Sequence, residues 1–182
     1  MSFATPALDA IRDTLPDELK DIRLNLSSVL AGESLQPTQA LGVALAAAVF
    51  VRCPPLVAAL ASDLGACAAP VAALILSDAT AAAGLMAMNT VYYRFRHMLA
   101  KESYEARPPR LRMSRMAQPT TSKADFELMS LGCAALAGCE VCIKNHETSL
   151  LHLGVSEDAC HDAARIAAVI NAVACGLPAA TS

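Results

Sequence analysis

Apolar side chains recur along this chain at steps of three and four, the spacing that lines one face of an α-helix. Leu19, Ile22, Leu26, Val29 and Leu30 form one such stripe, behind Pro16, Asp17 and Glu18, residue types that open helices. Ala163, Ile166, Ala167, Ile170 and Val173 form another near the far end. The start of that last helix is well marked. Gly154 closes a preceding helix, Ser156 can cap the next, and Glu157 and Asp158 lie where the helix dipole favours negative charge. Between the two stripes alanine, the best helix former, is the commonest residue, and β-branched runs of period two are absent. The pattern predicts an all-α protein.

One stretch breaks the pattern. Residues 105–122 hold Pro108, Pro109 and Pro119 together with Arg107, Arg110, Arg112 and Arg115, and show no helical stripe. They read as a connector between a helical half at 1–104 and a second at 123–182 of one domain. The connector is either solvated or a basic patch that meets an acidic partner or a neighbouring subunit. The halves are weakly related at a constant offset, which pairs Leu41 with Glu127, Leu45 with Leu131, Ala48 with Ala134, Cys53 with Cys139, Leu56 with Cys142 and Leu60 with His146. Each side is expected to have an apolar helix ending near a cysteine, then a short second helix. The first side lacks the polar residues of the second, so it is expected to be scaffold and the chemistry is expected after residue 122.

Composition narrows the setting. Of 182 residues, 55% are hydrophobic and only 17% charged, which excludes intrinsic disorder, and a net charge of −3 argues against a generally basic nucleic-acid surface. A mean hydropathy of +0.43 leaves a surface short of charge, which burial between subunits would remedy, so an oligomer is expected. The apolar run 40–51 is interrupted by Arg52 and Pro54-Pro55, and the run 66–76 is broken by Pro70 and ended by Ser77-Asp78. Neither supplies the ~20 uninterrupted apolar residues of a spanning helix. The opening string MSFATPALDA has no basic head followed by an apolar stretch, so no leader is expected and the location is expected to be cytoplasmic. Structural disulfides are rare there, so seven cysteines point to reactivity or metal.

The informative string is FELMSLGCAALAGCEVCIKNHE, residues 126–147. Cys139 and Cys142 form a C-x-x-C. On a helix, positions i and i+3 lie about 5–6 Å apart on one face, inside the Cα separation that a disulfide requires. Gly138 is a natural break between helices, which places both cysteines in the first turn of the next one, where free backbone N–H groups and the dipole favour a thiolate. His146, four residues beyond Cys142, lies one turn along the same face, the arrangement of a thiol with an adjacent base; taken alone, it equally suits a solvated helix face. Glu127 stands in an apolar stretch. It is either a buried carboxylate whose raised pKa lets it pass protons near neutrality, or an ordinary first-turn acid beside Asp125. Cys53, Cys67, Cys133, Cys160 and Cys175 read as small core residues. His97, His152 and His161 read as structural or surface groups, and Met86, Met88 and Met98 as core or subunit contact. Tyr92, Tyr93, Arg94 and Arg96 read as a cover for the site or a subunit seam.

Glu, eleven residues, then Cys-x-x-Cys-x-x-x-His resembles the signature of the AhpD-type alkylhydroperoxidases, and Glu127, Cys139, Cys142 and His146 fit every spacing. The likeness extends to LPDELKDIRLNLSSVL, MAMNTVYYRFRHML, LRMSRMAQP and GVSEDACHDAARIAAVINAV. The resemblance implies an all-helical homotrimer that works as a thiol–disulfide enzyme without a tightly bound cofactor or metal. Its electron donor would be dihydrolipoamide on a lipoylated dihydrolipoamide acyltransferase, and its acceptor a partner peroxiredoxin or a hydroperoxide. It implies that Cys142 takes the sulfenic acid or the mixed disulfide. Cys139 would donate a proton and close the Cys139–Cys142 bond, with Glu127 and His146 as the proton relay. One residue departs from the family pattern: Val141 stands where well-known members carry a histidine. Valine moves no proton, and Glu140 points about 100° away on the helix. Weaker peroxide turnover is therefore expected, with disulfide exchange retained. Three other readings stay open. Zinc could be held by Cys139, Cys142 and His146, which would still need a fourth ligand. The same scaffold could serve a carboxymuconolactone decarboxylase-like reaction, or a redox-sensing module without turnover.

Overall fold

The computed structural model describes residues 4–180 and shows α-helices with no strand among them, as the periodicity predicts. The first three residues of the string read for a leader lie outside the described residues. In chain order the helices are α1 (Pro6–Thr14), α2 (Lys20–Val29), α3 (Pro37–Phe50), α4 (Pro54–Leu99), α5 (Glu102–Glu105), α6 (Ser114–Ala117), α7 (Lys123–Ala137), α8 (Glu140–His152) and α9 (Glu157–Ala180), with a 3-10 turn at Asp17–Leu19 before α2.

The centre of the bundle is α3. Its residues from Ala40 to Ala48 are apolar on every side and all buried, the mark of a helix surrounded by others rather than lying on a surface. Around it pack α4, α7 and α9. The stripe Ala163, Ile166, Ala167, Ile170 and Val173 is the inner face of α9, with every member buried. Where α7 crosses α3, Gly132 leaves room for Val43: a Cβ there would stand 3.2 Å from the Val43 side chain. Ser156 caps α9 through the Ala159 N–H, and Gly154 (φ 82°) makes the turn before it.

Two sequence expectations are corrected. First, Pro70 bends the chain but does not end the helix. Proline lacks the N–H that would continue the ladder, and the backbone departs from helical geometry at Ala68 (φ −144°, ψ 40°) before resuming within the 46 residues of α4. The second helix of the first half is therefore long, where the repeat leads one to expect a short one. By length and composition α4 and α9 therefore both pass the test for a spanning helix, which the broken apolar runs were not expected to do. Yet α4 carries Asp63 and Asp78, both buried and both satisfied by protein donors. Asp63 accepts from the N–H groups of Ala7 and Leu8, each at 2.9 Å, and so caps α1 from a distance.

Second, the connector is anchored, and one of its arginines finds its acid within the chain. Asp78, with no exposed side-chain surface, accepts from Arg115 Nε at 2.7 Å, from Thr120 N at 3.2 Å, and from Thr121 N and Oγ1 at 2.6 and 2.7 Å. Burial by itself would raise the Asp78 pKa; these donors outweigh it and hold the carboxyl at about 2. One turn of helix, α6, forms inside the connector, where no helical stripe was visible. On α4, Val71, Leu74, Leu76, Val91, Phe95 and Met98 remain exposed.

Candidate active site

The site is the corner between α7 and α8. Ser122 caps α7 by accepting from Asp125 N, and the Asp125 carboxylate accepts in return from Ser122 N, a reciprocal box that fixes where the helix begins. Gly138 ends α7 in the left-handed region (φ 63°), a conformation that glycine adopts without a Cβ clash. The chain then extends for one residue. Cys139 is consequently the N-cap of α8 (φ −94°, ψ 95°) rather than part of its first turn, and Cys142 is its third helical residue. The two are joined as a disulfide with Cα atoms 5.3 Å apart. Both sulfurs lie at the end of α8 whose backbone N–H groups lack intrahelical partners, a place that stabilises a thiolate once the bond is reduced.

Glu127, on α7, is buried and meets His146, on α8, through Oε2 and Nδ1 at 2.5 Å. A carboxylate only accepts, so Nδ1 carries the hydrogen, which leaves Nε2 as the ring position open to proton exchange. The reading of Glu127 as a raised-pKa acid is overturned. Burial pushes its pKa up, but the hydrogen bonds and charges of His146 and Lys123 more than reverse this, and the net displacement is downward. Nor is it an ordinary exposed first-turn acid. His146 Nε2 faces Met86 Sδ at 3.1 Å.

A cavity of about 410 Å³ opens beside this pair. α8 contributes Cys142, Asn145 and His146; α4 contributes Met86, Asn89 and Tyr93; the connector contributes Met113, Met116 and Ala117; Lys123 completes the wall. The structure thus brings Cys142, His146 and Glu127 together, with Cys142 facing the cavity and Cys139 buried behind it, 1% exposed. Val141 is half-buried, and Glu140 is exposed and bonded to Lys144, with His97 also in its reach. Neither supplies a second relay group.

Sequence reasoning missed several of these residues. Lys123 bonds Glu127 Oε1 at 2.6 Å, a contact that the i,i+4 spacing could have revealed. Asn89, buried with its Oδ1 unpartnered, follows Met86 by three and precedes Tyr93 by four on the same face of α4. Arg94, which the sequence does single out as a cover for the site or a seam, bonds the Ala137 carbonyl at 2.6 Å and holds the end of α7 against α4. Of the five remaining cysteines, Cys53, Cys133 and Cys160 are buried, as expected of core residues, but Cys67 and Cys175 are exposed. Burial drives the Cys133 thiol far above its ordinary range, and burial with the charges of Glu147 and Glu157 raises Cys160, so neither is a ready nucleophile. Among the described residues, no group of three or more His, Cys, Asp or Glu side chains has the geometry to hold a metal ion.

A helical bundle carrying a C-x-x-C corner beside a carboxylate–imidazole pair is the class of molecule that these features define. Residues 103–181 match the Carboxymuconolactone decarboxylase family. Over 171 residues the chain is 51% identical to an alkyl hydroperoxide reductase AhpD of Anaeromyxobacter dehalogenans (strain 2CP-C), covering 94% of this chain and 90% of that one. It is 44% identical over 173 residues to the AhpD of Rhodopseudomonas palustris (strain BisB18), covering 95% and 94%, and 44% identical over 174 residues to that of Bradyrhizobium sp. (strain BTAi1 / ATCC BAA-1182), covering 96% and 94%. The chain belongs to the AhpD family of alkyl hydroperoxide reductases.

Proposed function

We propose that this protein is an antioxidant thiol–disulfide oxidoreductase with alkylhydroperoxidase activity, run by the Cys139/Cys142 pair. The observation that carries this reading is the division of labour between the two sulfurs. Cys142 lines the cavity beside His146, whereas Cys139 is sealed behind it within bonding reach. The cavity-facing sulfur is the attacking one and the buried sulfur resolves the product.

In the reduced protein, with the Cys142 sulfur released from Cys139 and free to turn toward the cavity, His146 takes its proton at Nε2, the nitrogen that faces Met86 Sδ in the disulfide form, while Glu127 holds Nδ1–H and balances the charge that develops on the ring. The thiolate attacks the O–O bond of a hydroperoxide; sulfur gains the hydroxyl as a sulfenic acid, and the alkoxide leaves as an alcohol with the proton from His146. The Cys139 thiol then displaces water from the sulfenic acid and closes the disulfide, which guards Cys142 from irreversible oxidation. A dihydrolipoyl dithiol, delivered on a lipoylated acyltransferase, restores both thiols by two exchanges and departs as lipoyl disulfide. A disulfide on a partner peroxiredoxin of the alkyl hydroperoxide reductase type is an alternative acceptor for the same two electrons, by attack of Cys142 on the partner's sulfur. With Val141 unable to carry protons, exchange is the stronger of the two activities. The exposed apolar side chains of α4 fit burial against further copies of the chain, in keeping with a homotrimer.

The test is turnover of a hydroperoxide with dihydrolipoamide, and reduction of the oxidised protein by a lipoylated acyltransferase set against thioredoxin and glutathione. Cys142→Ser abolishes both activities, while Cys139→Ser leaves one sulfenic acid formed per chain with no turnover. Substantial steady-state turnover in Cys142→Ser would overturn the assignment. Reduction by thioredoxin or glutathione as fast as by the lipoylated protein would overturn the choice of donor.

A further inference from the structure

We propose that Lys123 is a positioning residue of the proton relay: its ammonium fixes the charge and orientation of Glu127, and through it the His146 ring, while a second bond ties the cavity wall to that relay. The inference rests on the reading of Glu127 and His146 as the relay for Cys142, and extends it to a residue outside the Glu-Cys-Cys-His signature.

The geometry is a chain of short bonds. Lys123 Nζ stands 2.6 Å from Glu127 Oε1, and Glu127 Oε2 stands 2.5 Å from His146 Nδ1, so one carboxylate oxygen meets an ammonium and the other an imidazole. Lys123 Nζ also donates to the Met116 carbonyl at 2.6 Å, on the connector wall of the cavity. The exposures match the role. The Glu127 side chain is 4% exposed and the Lys123 side chain 39%, so the lysine keeps contact with water while its head neutralises a carboxylate that water barely reaches. A buried carboxylate without such a partner would prefer its neutral form and would then cease to balance the charge on the ring.

Lys123 also sits where local helix rules would not put it. It is the first residue of α7, at the positive end of the dipole, where a cation is disfavoured. The equivalent first residue of α3 is Pro37, a residue that helix starts prefer. A local rule broken at one of two matching positions, with the offending side chain aimed at Glu127, marks a functional placement.

The elements packed against α7 are α3, α4, α6, α8 and α9. Of these, α3 has no ionisable side chain. On α4, Asp78 is taken by Arg115 of α6 and by Thr120 and Thr121, and Tyr93 lines the cavity. On α9, Asp162 is held by Ser34 and Arg165. His146 of α8 and Lys123 are left as the two groups that set the charge of Glu127.

The experiment compares Lys123→Gln, Lys123→Met and Lys123→Arg with the unaltered chain, using cumene hydroperoxide and dihydrolipoamide. It reads the pH profile of kcat/KM and the pH dependence of iodoacetamide alkylation of reduced Cys142. In Lys123→Gln and Lys123→Met the acid limb moves up by about one pH unit, the scale on which a neighbouring opposite charge acts on a carboxyl, and Lys123→Arg restores the original profile. A profile that superimposes on the unaltered one, or a raised KM with the pH limb unmoved, would mean that Lys123 is only a tether and would overturn the proposal. Glu127→Gln separates the two layers. Full turnover in that variant defeats the relay itself, whereas its loss together with an unmoved Lys123→Gln profile defeats only the role of Lys123.

Discussion

The corner between α3 and α4 and the corner between α7 and α8 are the same backbone carrying opposite chemistry. An offset of 86 residues superimposes their hydrogen bonds, and at one point the repeats touch each other across it: Gln39 Nε2 donates to Asp125 Oδ1 at 2.8 Å. Both of these residues are the third of their helix and belong to a capping box. At the far end of each first helix a residue turns left-handed, Arg52 at φ 58° and Gly138 at φ 63°. The next residue is a cysteine that caps the second helix. Cys53 N reaches the Ala48 carbonyl at 3.1 Å and Cys139 N the Ala134 carbonyl at 3.3 Å. Onto this shared frame the first corner packs Leu41, Leu56 and Leu60, all fully buried, where the second places Glu127, Cys142 and His146. The frame is set by caps and a left-handed stop; the reactivity is set by three side chains.

The largest effect should come from making the second corner resemble the first. Glu127→Leu with His146→Leu copies Leu41 and Leu60. Loss of a positioned base and its partner is expected to lower turnover by at least about 100-fold. The fold should not suffer, because replacing a buried ion pair by apolar side chains is commonly neutral or stabilising by ~1–4 kcal/mol. Lys123, half in water, can turn outward. Turnover assays and thermal melts on the same preparation check this, and activity within a few-fold of the parent would show that the corner does not depend on its polar pair.

A second, smaller effect bears on what joins the halves. Asp78→Asn removes the charge that gathers Arg115, Thr120 and Thr121 and sets an amide N–H₂ against donors, so a loss of about 3 kcal/mol is expected in denaturant unfolding. The pH dependence has a definite sign. The folded-state pKa of Asp78 is about 2, depressed from 3.8, so the stability it supplies is complete above about pH 4 and is lost as pH falls towards 2. At 1.36 kcal/mol per unit this is about 2 kcal/mol. The depressed pKa of Glu127 adds a loss of the same sign. Melts from pH 7 down to pH 2 should therefore converge for Asp78→Asn and the parent, and curves that stay parallel would deny Asp78 this part.

Much of this was legible in the residues, for reasons that differ from place to place. The helices at 19–30 and 157–180 follow from stripes and caps, which are local. The pairing of the halves was visible because the cysteines and the apolar helices before them kept their spacing. The Asp78 anchor was not, since Arg115, Thr120 and Thr121 stand about forty residues from it in a stretch that shows only prolines and charges. The continuity of α4 through Pro70 was hidden too, because tertiary packing on both sides carries the helix across a residue that locally breaks it. At the site, spacing brought out Glu127, Cys139, Cys142 and His146, but left Glu127 between a buried acid of raised pKa and an ordinary first-turn acid, and it is neither. Its lowered pKa depends on His146 arriving from α8 and on Lys123 reaching across one turn, and an apolar stretch announces neither.

The smallest prediction tests the equivalence of the two turns directly. Arg52 holds a left-handed backbone with a Cβ, a conformation costing an L-residue roughly 1–2 kcal/mol, whereas Gly138 holds it freely. Arg52→Gly relieves that cost but lets the unfolded chain gain freedom, an opposing ~0.4–1 kcal/mol, so a net gain below about 1 kcal/mol is expected. Gly138→Ala acquires the same backbone cost with nothing to offset it except reduced freedom in the unfolded state. No atom lies within 4 Å of the new Cβ, so contacts do not confuse the result. The midpoints should then move in opposite directions, each by no more than about 2–4 °C for a chain of this size. Gly138→Ala should disturb the adjoining Cys139 in the same measure, slowing closure of the disulfide after peroxide addition, while Arg52→Gly leaves closure unchanged because its neighbour Cys53 has Leu56, not a thiol, at the matching position. If both variants moved stability the same way, the two turns would not be copies of one device, and the repeat would end at the helices that flank them.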